Sequence, residues 1–327
     1  CDLGAEVIKL EPWPQGDKTR GTALFSLLAR GKRLLAIPPQ KWPIAWPHLL
    51  PHIDILILNH RPGTLEALQL LPETLMTAYP QLITINLSGY EDGRPGHDLN
   101  FLAESGALDR LRLAPNAPPI VPGFLFGDLL GGTASALIRL LAALYHREKT
   151  GQGGFLTIAI TTEMLRWSYA TAFLYLSGQG ELPPPAQDIF SGALPAYRVY
   201  RTRDDRYIAV AALETHFWEG FCQHIGRPDL IPFGYALGDP AAHAAIEDLF
   251  QSKTFAEWEQ ILQDTAFCIS PVYTFSEVIQ KPWSTKAWQE KFLTFSDNAS
   301  YTGEIPGVGA DNAHLRGLFG LPSTLFG

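Results

Sequence analysis

Cysteine and methionine are scarce in this chain. Its 327 residues include three cysteines and two methionines. Cys1, Cys222 and Cys268 are too few and too far apart for a disulfide framework or a CxxC metal site, so no metal is expected. Their scarcity predicts a protein of the cytoplasm, where thiols stay reduced. Cys268 lies in an apolar run and is expected to be buried.

Long apolar runs and an excess of positive charge are also missing. No stretch of about eighteen residues is apolar and uncharged, and 129–145 is interrupted by Arg139, so no membrane partner is expected. Residues 1–4 have neither the basic start nor the apolar centre of a signal peptide. The net charge of −8 argues against a nucleic-acid partner.

The charge is unevenly spread. Residues 1–63 contain eight Lys and Arg against five Asp and Glu. A mildly basic N-terminal part suits a small phosphorylated ligand, and a simple solvated face explains it equally well. A hydrophobic content of 46% predicts a globular chain that is long enough for two domains.

Strand-like and helix-like patterns alternate in the first hundred residues. Strands are predicted at 5–10, 33–37, 53–58 and 82–87, with short helices between them. Apart from Asp54, the run 53–58 is continuously apolar, as in a buried parallel strand. A helix at 129–148, a strand at 155–160 and a helix at 161–176 follow. This order predicts an α/β fold with a Rossmann-like large domain.

The composition changes after residue 176. The segment SGQGELPPP at 177–185 has the composition of a linker, and a β-hairpin and three helices follow it. We therefore predict a large domain followed by a smaller α+β domain. The predicted boundaries are 1–176 for the large domain, 177–196 for the linker, 197–285 for the small domain and 286–327 for a segment that returns to the large domain.

Two polar residues stand in glycine-flanked turns ahead of apolar helical runs. His97 follows Gly96 and precedes a predicted helix; it is either a loop or capping histidine or a proton acceptor. Asp128 precedes the long helix in the N-cap position, where capping alone would explain it. The helix N-terminus would also keep Asp128 ionised. The glycines at 131 and 132 permit either close approach by a ligand or close helix packing.

Three further polar residues are candidates. Arg61 follows the strand 53–58, and an arginine at that end of a parallel sheet can pair with a phosphate. Glu214 joins a strand to a helix, where an exposed carboxylate is ordinary. Asp98 is likewise an ordinary helix-start residue. No GxSxG motif, P-loop or helix-opening GxGxxG occurs.

Several short segments together resemble the family III CoA-transferases (the CaiB/BaiF superfamily). They keep the order and spacing of that family and comprise residues 2–11, 16–21, 30–33, 54–63, 87–90, 147–153 and 268–272. Residues 96–100, with the sequence GHDLN, resemble the α-methylacyl-CoA racemase branch in particular. The resemblance implies an interlocked homodimer and acyl-CoA as substrate, with no additional cofactor.

The resemblance also implies roles for single residues. His97 and Asp128 would exchange the α-proton of a 2-methylacyl-CoA, and Glu214 would support His97. CoA contacts would fall to Asn59, Arg61, Gly63 and Asp98. Two features depart from the family pattern: Pro12 stands where an arginine is common, and the expected first strand and Gly/Pro-containing loop are missing, so the natural start is expected to lie upstream.

Three functions follow from this resemblance. The favoured one is racemisation of a 2-methylacyl-CoA by His97 and Asp128, because two bases on opposite faces of one carbon permit inversion. The second is CoA transfer between an acyl-CoA and a carboxylic acid through an anhydride on Asp128, which needs no histidine. The third is a truncated, non-catalytic dimeric homologue.

Overall fold

The protein combines helices and strands, as predicted. A computed structural model describes residue 1, residues 3–284 and residues 306–326. The chain divides into two compact units. Unit 1 comprises Cys1–Ser88, Ala136–Thr157 and Val278–Gly327, and unit 2 comprises Gly89–Ser135 and Ile158–Glu277. Unit 2 thus includes residues 89–135, which lie inside the predicted large domain; the predicted domain ranges themselves stay a prediction.

The N-terminal strands form two separate small sheets in the described part of the chain. β1 (Ile8–Pro12) and β2 (Arg33–Ile37) pair in parallel. β3 (Ile55–Leu58), β4 (Ile83–Ser88) and β5 (Gly154–Ala159) form a second sheet in that order, and β3 and β4 are parallel. The alternation of strands and helices is confirmed, whereas the Rossmann-like arrangement stays a prediction.

Short helices separate these strands. They are α1 (Ala23–Ala29), α2 (Trp42–Leu49), α3 (Pro62–Ala67) and α4 (Pro72–Ala78). The side chain of Thr22 caps α1 by accepting the backbone N–H of Phe25. Prolines occupy the first turns of α2, α3 and α4, where a missing N–H costs nothing.

The C-terminal residues 306–326 belong to unit 1. The segment 286–305 of the predicted return lies outside the described residues, and a helix is present at Asn312–Phe319. Asp311 Oδ2 accepts the backbone N–H of Leu34, and Asn312 Oδ1 accepts that of Ala36. These two side chains bond to N–H groups of β2 on the side away from β1, where β2 has no partner strand in the described part of the chain.

Two predictions about burial were wrong. Ile57 is 66% exposed, because β3 lies at an edge of its sheet and only Leu56 and Leu58 face the apolar core. Cys268 is exposed, not buried. It has φ of 56° directly before β8 (Ile269–Pro271), so its side chain turns away from the sheet.

Unit 2 begins with the helices that carry the candidate site. α5 (Asp98–Glu104) and α6 (Ala107–Arg110) are followed by a π-helical segment, Gly127–Ala134, which continues into α7 (Ser135–Thr150). α8 (Ile160–Trp167) and α9 (Tyr169–Ser177) replace the single helix predicted at 161–176. The break falls at Ser168, whose ψ of 43° leaves the helical range.

The remainder of unit 2 is the predicted α+β part. β6 (Tyr197–Arg201) and β7 (Tyr207–Ala211) form the predicted antiparallel hairpin, and β8 pairs with β7. α10 (Thr215–His224), α11 (Pro240–Gln251) and α12 (Phe255–Leu262) pack an aromatic core around Trp218, Phe221, Phe250 and Trp258. A capping box between Thr254 and Glu257 starts α12.

The segment 177–196 is anchored in spite of its linker-like composition. The buried Asp188 forms an ion pair with Arg110 at 2.6 Å, and the same guanidinium donates to the backbone oxygen of Pro183. Asp188 Oδ1 also accepts the backbone N–H of Phe190. Both ends of this ion pair lie in unit 2.

One helical stretch is long and apolar enough to cross a membrane. This 24-residue stretch, Gly127–Thr150, qualifies by length and composition alone. It also contains Asp128, Arg139 and the charged end 147–149. A single such helix is weak evidence for a membrane, because core helices pass the same test.

Candidate active site

The turn before His97 is held by aromatic packing. A Cβ atom at Gly96 would lie 2.6 Å from the Phe101 ring and 2.7 Å from the Tyr90 ring, and one at Gly89 would lie 2.3 Å from Phe101. Tyr90 and Phe101 meet edge to face, with ring centroids 5.4 Å apart. Glycine at 89 and 96 therefore lets this turn close onto α5.

An ion pair reinforces the same turn. Arg94 Nη1 donates to Glu104 Oε1 at 3.1 Å, and the guanidinium lies 3.8 Å above the centre of the Tyr90 ring. The Tyr90 hydroxyl donates to the same carboxylate at 2.9 Å. The Arg94 and Tyr90 donors lower the pKa of Glu104. These three side chains connect the turn to the last residue of α5.

His97 is the N-cap residue of α5 and is exposed. Its backbone is extended, with φ of −127° and ψ of 171°. The Asn100 side-chain oxygen accepts the backbone N–H of His97 at 3.1 Å, which fixes the residue through its main chain. The predicted helix start at His97 is confirmed, and Asn100 is a supporting residue to which the sequence analysis assigned no role.

Asp128 lies two residues further into its helix than predicted. Phe126 is the N-cap residue, and Asp128 is in the first turn of the π-helical segment. The Thr133 hydroxyl donates to the backbone oxygen of Asp128 at 3.1 Å. The N-cap prediction was therefore wrong by two residues, because the helix already begins at Gly127. π-helical turns often mark functional sites.

Asp98 connects the two candidate groups. Its carboxylate is 7% exposed, and Oδ1 accepts the backbone N–H of Asp128 at 2.9 Å. Asp98 directly follows His97 in the sequence. The residue that is covalently bonded to the candidate base therefore also contacts the helix turn that carries Asp128. The predicted CoA contact of Asp98 stays a prediction.

The environment shifts the acidity of Asp128. Partial burial, and next the negative charge of Asp98, raise the pKa of the Asp128 carboxyl above its ordinary value, while His97 acts in the opposite direction. His97 and Asp128 are thus close enough to interact electrostatically. The helix N-terminus was expected to keep Asp128 ionised, but burial and Asp98 counteract that effect.

The glycines after Asp128 serve helix packing. A Cβ at Gly131 would lie 2.8 Å from the backbone oxygen of Ile160 and 3.0 Å from the Met164 side chain. At Gly132 the nearest contact would be Ile160 at 3.4 Å, an ordinary distance. Of the two roles left open by the sequence, the structure supports close packing of this segment on α8.

A matched pair of substitutions tests this packing. Gly131→Ala is expected to lower the free energy of unfolding by about 1–3 kcal/mol, because the backbone of Ile160 cannot yield to a new methyl group. Gly132→Ala is expected to be neutral or to stabilise by up to about 1 kcal/mol, because alanine favours a helix. Urea unfolding of both variants measures the difference, and equal effects would contradict the packing role.

Glu214 lies in unit 2 without a bond to His97. It is the exposed N-cap residue of α10, and its charge helps to raise the pKa of Tyr235 after burial and Glu219. Within the described residues no hydrogen bond or ion pair joins Glu214 to His97. Its support of His97 stays a prediction. In the same part of the chain no cluster of three His, Cys, Asp or Glu residues could hold a metal ion.

The predicted CoA contacts in unit 1 follow the end of β3. Arg61 is the exposed N-cap residue of α3, and Asn59 is exposed beside it. A Cβ at Gly63 would meet nothing within 4 Å, so this glycine faces open space. The turn is fixed by Asn86, whose side chain accepts the backbone N–H of His60 and donates to its oxygen. Their CoA contacts stay predictions.

Comparison with known proteins decides the family. The sequence model that describes "CoA-transferase family III" matches residues 1–309. The chain belongs to this family. The family III chain is 33% identical to the α-methylacyl-CoA racemase of Homo sapiens over 293 residues, which cover 85% of this chain and 73% of the relative.

Other relatives carry transferase names. The chain is 29% identical to the succinyl-CoA–D-citramalate CoA-transferase of Chloroflexus aurantiacus over 305 residues, covering 86% of this chain and 75% of the relative. A solved CaiB/BaiF family protein from Brucella suis shares the fold, with a TM-score of 0.77, 24% identity and coverage of 98% and 93% of the two chains. This family III enzyme is therefore an acyl-CoA racemase or a CoA-transferase.

Proposed function

We propose that the protein inverts the α-carbon of a 2-methylacyl-CoA thioester. The observation that supports this proposal is the hydrogen bond of 2.9 Å from the Asp128 backbone N–H to the carboxylate of Asp98, the residue next to His97. The two groups interact electrostatically, and His97 is exposed where a substrate can reach it.

The chemistry needs two groups that differ in acidity. A thioester α-proton is weakly acidic, so its removal needs a placed base and stabilisation of the enolate oxygen. In one direction neutral His97 takes the proton while protonated Asp128 delivers one to the opposite face; the reverse direction exchanges these roles. Burial and Asp98 favour the protonated form of Asp128, which the first direction requires.

CoA transfer through Asp128 is the second candidate, because transferases are among the relatives. In that reaction the Asp128 carboxylate attacks the thioester carbonyl, the C–S bond breaks, and an acyl anhydride forms with release of the CoA thiolate. The attack needs ionised Asp128 and assigns no part to His97. The exposed His97 next to Asp98 therefore favours the racemase.

CoA recognition would use exposed residues of unit 1. Arg61 would pair with a phosphate group of the acyl-CoA substrate, and Asn59 and Gly63 would contact CoA beside it. Asp98 would be the fourth CoA contact, although its carboxylate is engaged with Asp128. The proposed reaction needs the acyl-CoA thioester as substrate and no additional cofactor. We propose neither a nucleic acid nor a membrane as partner. The cytoplasmic location stays a prediction.

An interlocked homodimer would cover an exposed apolar face of α7. Leu137, Ile138, Leu141 and Tyr145 follow helical spacing, and Leu141 and Tyr145 are 56% and 68% exposed. Apolar faces of this kind mark interfaces. We propose a second copy of the chain, and not lipid, as the occupant, because the charged end of the same helix is unsuited to a bilayer core. The second copy would also present a second Glu214.

Charged substitutions on that face test the dimer. The double variant Leu137→Asp, Leu141→Asp is expected to shift the protein from dimer to monomer, because two carboxylates would have to be buried without partners. Sedimentation velocity measures the oligomeric state. Glu148→Lys, on an exposed position of the same helix, is the control and is expected to remain dimeric. A wild-type monomer, or a dimer of the double variant, would contradict the proposed interface, and so would binding of the wild type to lipid vesicles.

Inversion itself is measured from both substrate enantiomers. Purified protein is incubated separately with the (R) and (S) forms of a 2-methylacyl-CoA, and the hydrolysed acids are separated on a chiral column. The racemase proposal predicts that both reactions approach a similar mixture of enantiomers. Retention of each starting configuration, with a folded protein that binds the substrate, would contradict it.

A further inference from the structure

A buried carboxylate caps the helix of Asp128 from outside that helix. The first N–H groups of a helix have no partner within it, and an N-cap side chain usually accepts one of them. Here the N-cap residue is Phe126, which has no acceptor in its side chain. Asp98 supplies the acceptor, and the bond from the Asp128 amide spans 30 positions of the sequence.

The surroundings hold Asp98 in this position. A Cβ atom at Gly127 would lie 3.0 Å from Asp98 Oδ1 and 3.4 Å from the Asp98 backbone oxygen, so a side chain there would push the two segments slightly apart. On the other side, Asn100 fixes the backbone of His97, the residue before Asp98. Aromatic packing of Phe101 fixes the turn that precedes His97.

We propose that Asp98 is a positioning residue that sets the distance between His97 and Asp128 by tying the first turn of one helix to the start of the other. The inference rests on the proposed function, because it assigns Asp98 the task of aligning the two groups that exchange the proton. A misplacement of about 1 Å at such a site can cost about 100-fold in rate. Asp98 limits such a displacement, because it is covalently bonded to His97 and hydrogen-bonded to the backbone of Asp128.

The charge of Asp98 has a second consequence. A neighbouring negative charge disfavours ionisation of Asp128, and after burial it is the largest cause of the raised pKa of that group. His97 lowers the pKa of Asp128 and so opposes this effect. On α8, which packs against this segment, Glu163 forms an ion pair with Arg166. Asp98 thus favours the protonated form of Asp128 while it holds the backbone of that residue.

Two substitutions separate position from charge. Asp98→Asn keeps an oxygen that can accept the Asp128 amide and removes the charge, whereas Asp98→Ala removes both. Asp109→Asn is the control, because Asp109 is an exposed aspartate of the same unit that pairs with Arg112. The side-chain carboxyl carbons of aspartate are labelled with ¹³C and titrated by NMR, with Asp128→Asn used to assign the Asp128 signal.

The expected results differ between the variants. In Asp98→Asn the pKa of Asp128 is expected to fall, and the acidic limb of the inversion rate is expected to move to lower pH by the same amount. In Asp98→Ala inversion at neutral pH is expected to fall about 10- to 100-fold. Asp109→Asn is expected to match the wild type in both measurements.

Each outcome decides a different point. An unchanged Asp128 titration in Asp98→Asn would overturn the role of the charge, and a wild-type inversion rate in Asp98→Ala would overturn the positioning role. If Asp98→Ala does not fold, the maximal inversion rate of Asp98→Asn tests the positioning role. Because the amide oxygen still accepts the Asp128 N–H, that rate is expected to stay within a few-fold of the wild type, and a larger loss would overturn the positioning role. A wild type without inversion, combined with the expected shift in Asp98→Asn, would contradict the proposed function and leave the coupling between Asp98 and Asp128 intact.

Discussion

Asp128→Asn is expected to stop both inversion of a 2-methylacyl-CoA and transfer of CoA to a free acid, each by about 10³-fold or more. The carboxylate is the proton-exchanging group in one reaction and the nucleophile in the other, and an amide can do neither. The fold is expected to be unaffected, because Asp128 contributes its backbone N–H and backbone oxygen to the structure, through Asp98 and Thr133. Chiral analysis and detection of the new thioester measure the two reactions.

The same assays on Asp109→Asn provide the control for Asp128. This variant removes an exposed carboxylate from the same unit and is expected to keep wild-type rates. If Asp128→Asn retained inversion or transfer within about tenfold of the wild type, Asp128 would not be the reacting group of that reaction.

His97→Ala is expected to lower inversion by about 10³-fold and to leave any CoA transfer within a few-fold of the wild type. The histidine is needed for the proton on its own face of the α-carbon. Asp128 can still exchange the proton on the opposite face without inversion, so inversion is the informative rate. Since the imidazole is exposed, the change in the free energy of unfolding is expected to stay within about 0.5 kcal/mol.

A second histidine serves as the control for His97. His146 is exposed on α7 in unit 1, and His146→Ala is expected to leave inversion unchanged. Inversion that survives in His97→Ala would show that another group is the base. Loss of transfer together with inversion would show that His97 takes part in both reactions, against the two-base assignment.

Local structure could largely be predicted from the sequence. Strand β2 at Arg33–Ile37 and helix α4 at Pro72–Ala78, one of the short helices between the strands, lie at the predicted positions. Each has a regular apolar pattern and a clear stop signal such as proline or glycine. Helix α2 was missed because its sequence contains two prolines, one of them inside the helix at Pro47.

Contacts between distant segments could not be predicted in the same way. No local pattern indicates that β1 and β2 form a sheet separate from β3, β4 and β5, because strand pairing depends on which segments pack together. The exposure of Ile57 follows from that pairing, since an edge strand buries only part of its apolar pattern.

For the candidate site too, the local features could be predicted from the sequence and the contact between distant segments could not. Residue types and turn glycines made His97 and Asp128 candidates, and the family resemblance selected them. The structure brings the two residues within electrostatic reach. The bond from Asp98 to Asp128 was missed because 30 positions separate the two residues. An acceptor from another segment becomes expected only once the helix is known to begin at Gly127, because the side chain of Phe126 has no acceptor.

Proton NMR in D₂O tests the central claim most directly. The protein is given a single enantiomer of a 2-methylacyl-CoA together with excess succinate, and the α-proton signal and the thioesters are followed over time. We predict loss of the α-proton signal and formation of the opposite enantiomer while the thioester remains intact. Formation of succinyl-CoA with the α-proton and the configuration retained would contradict the racemase proposal and assign Asp128 to CoA transfer.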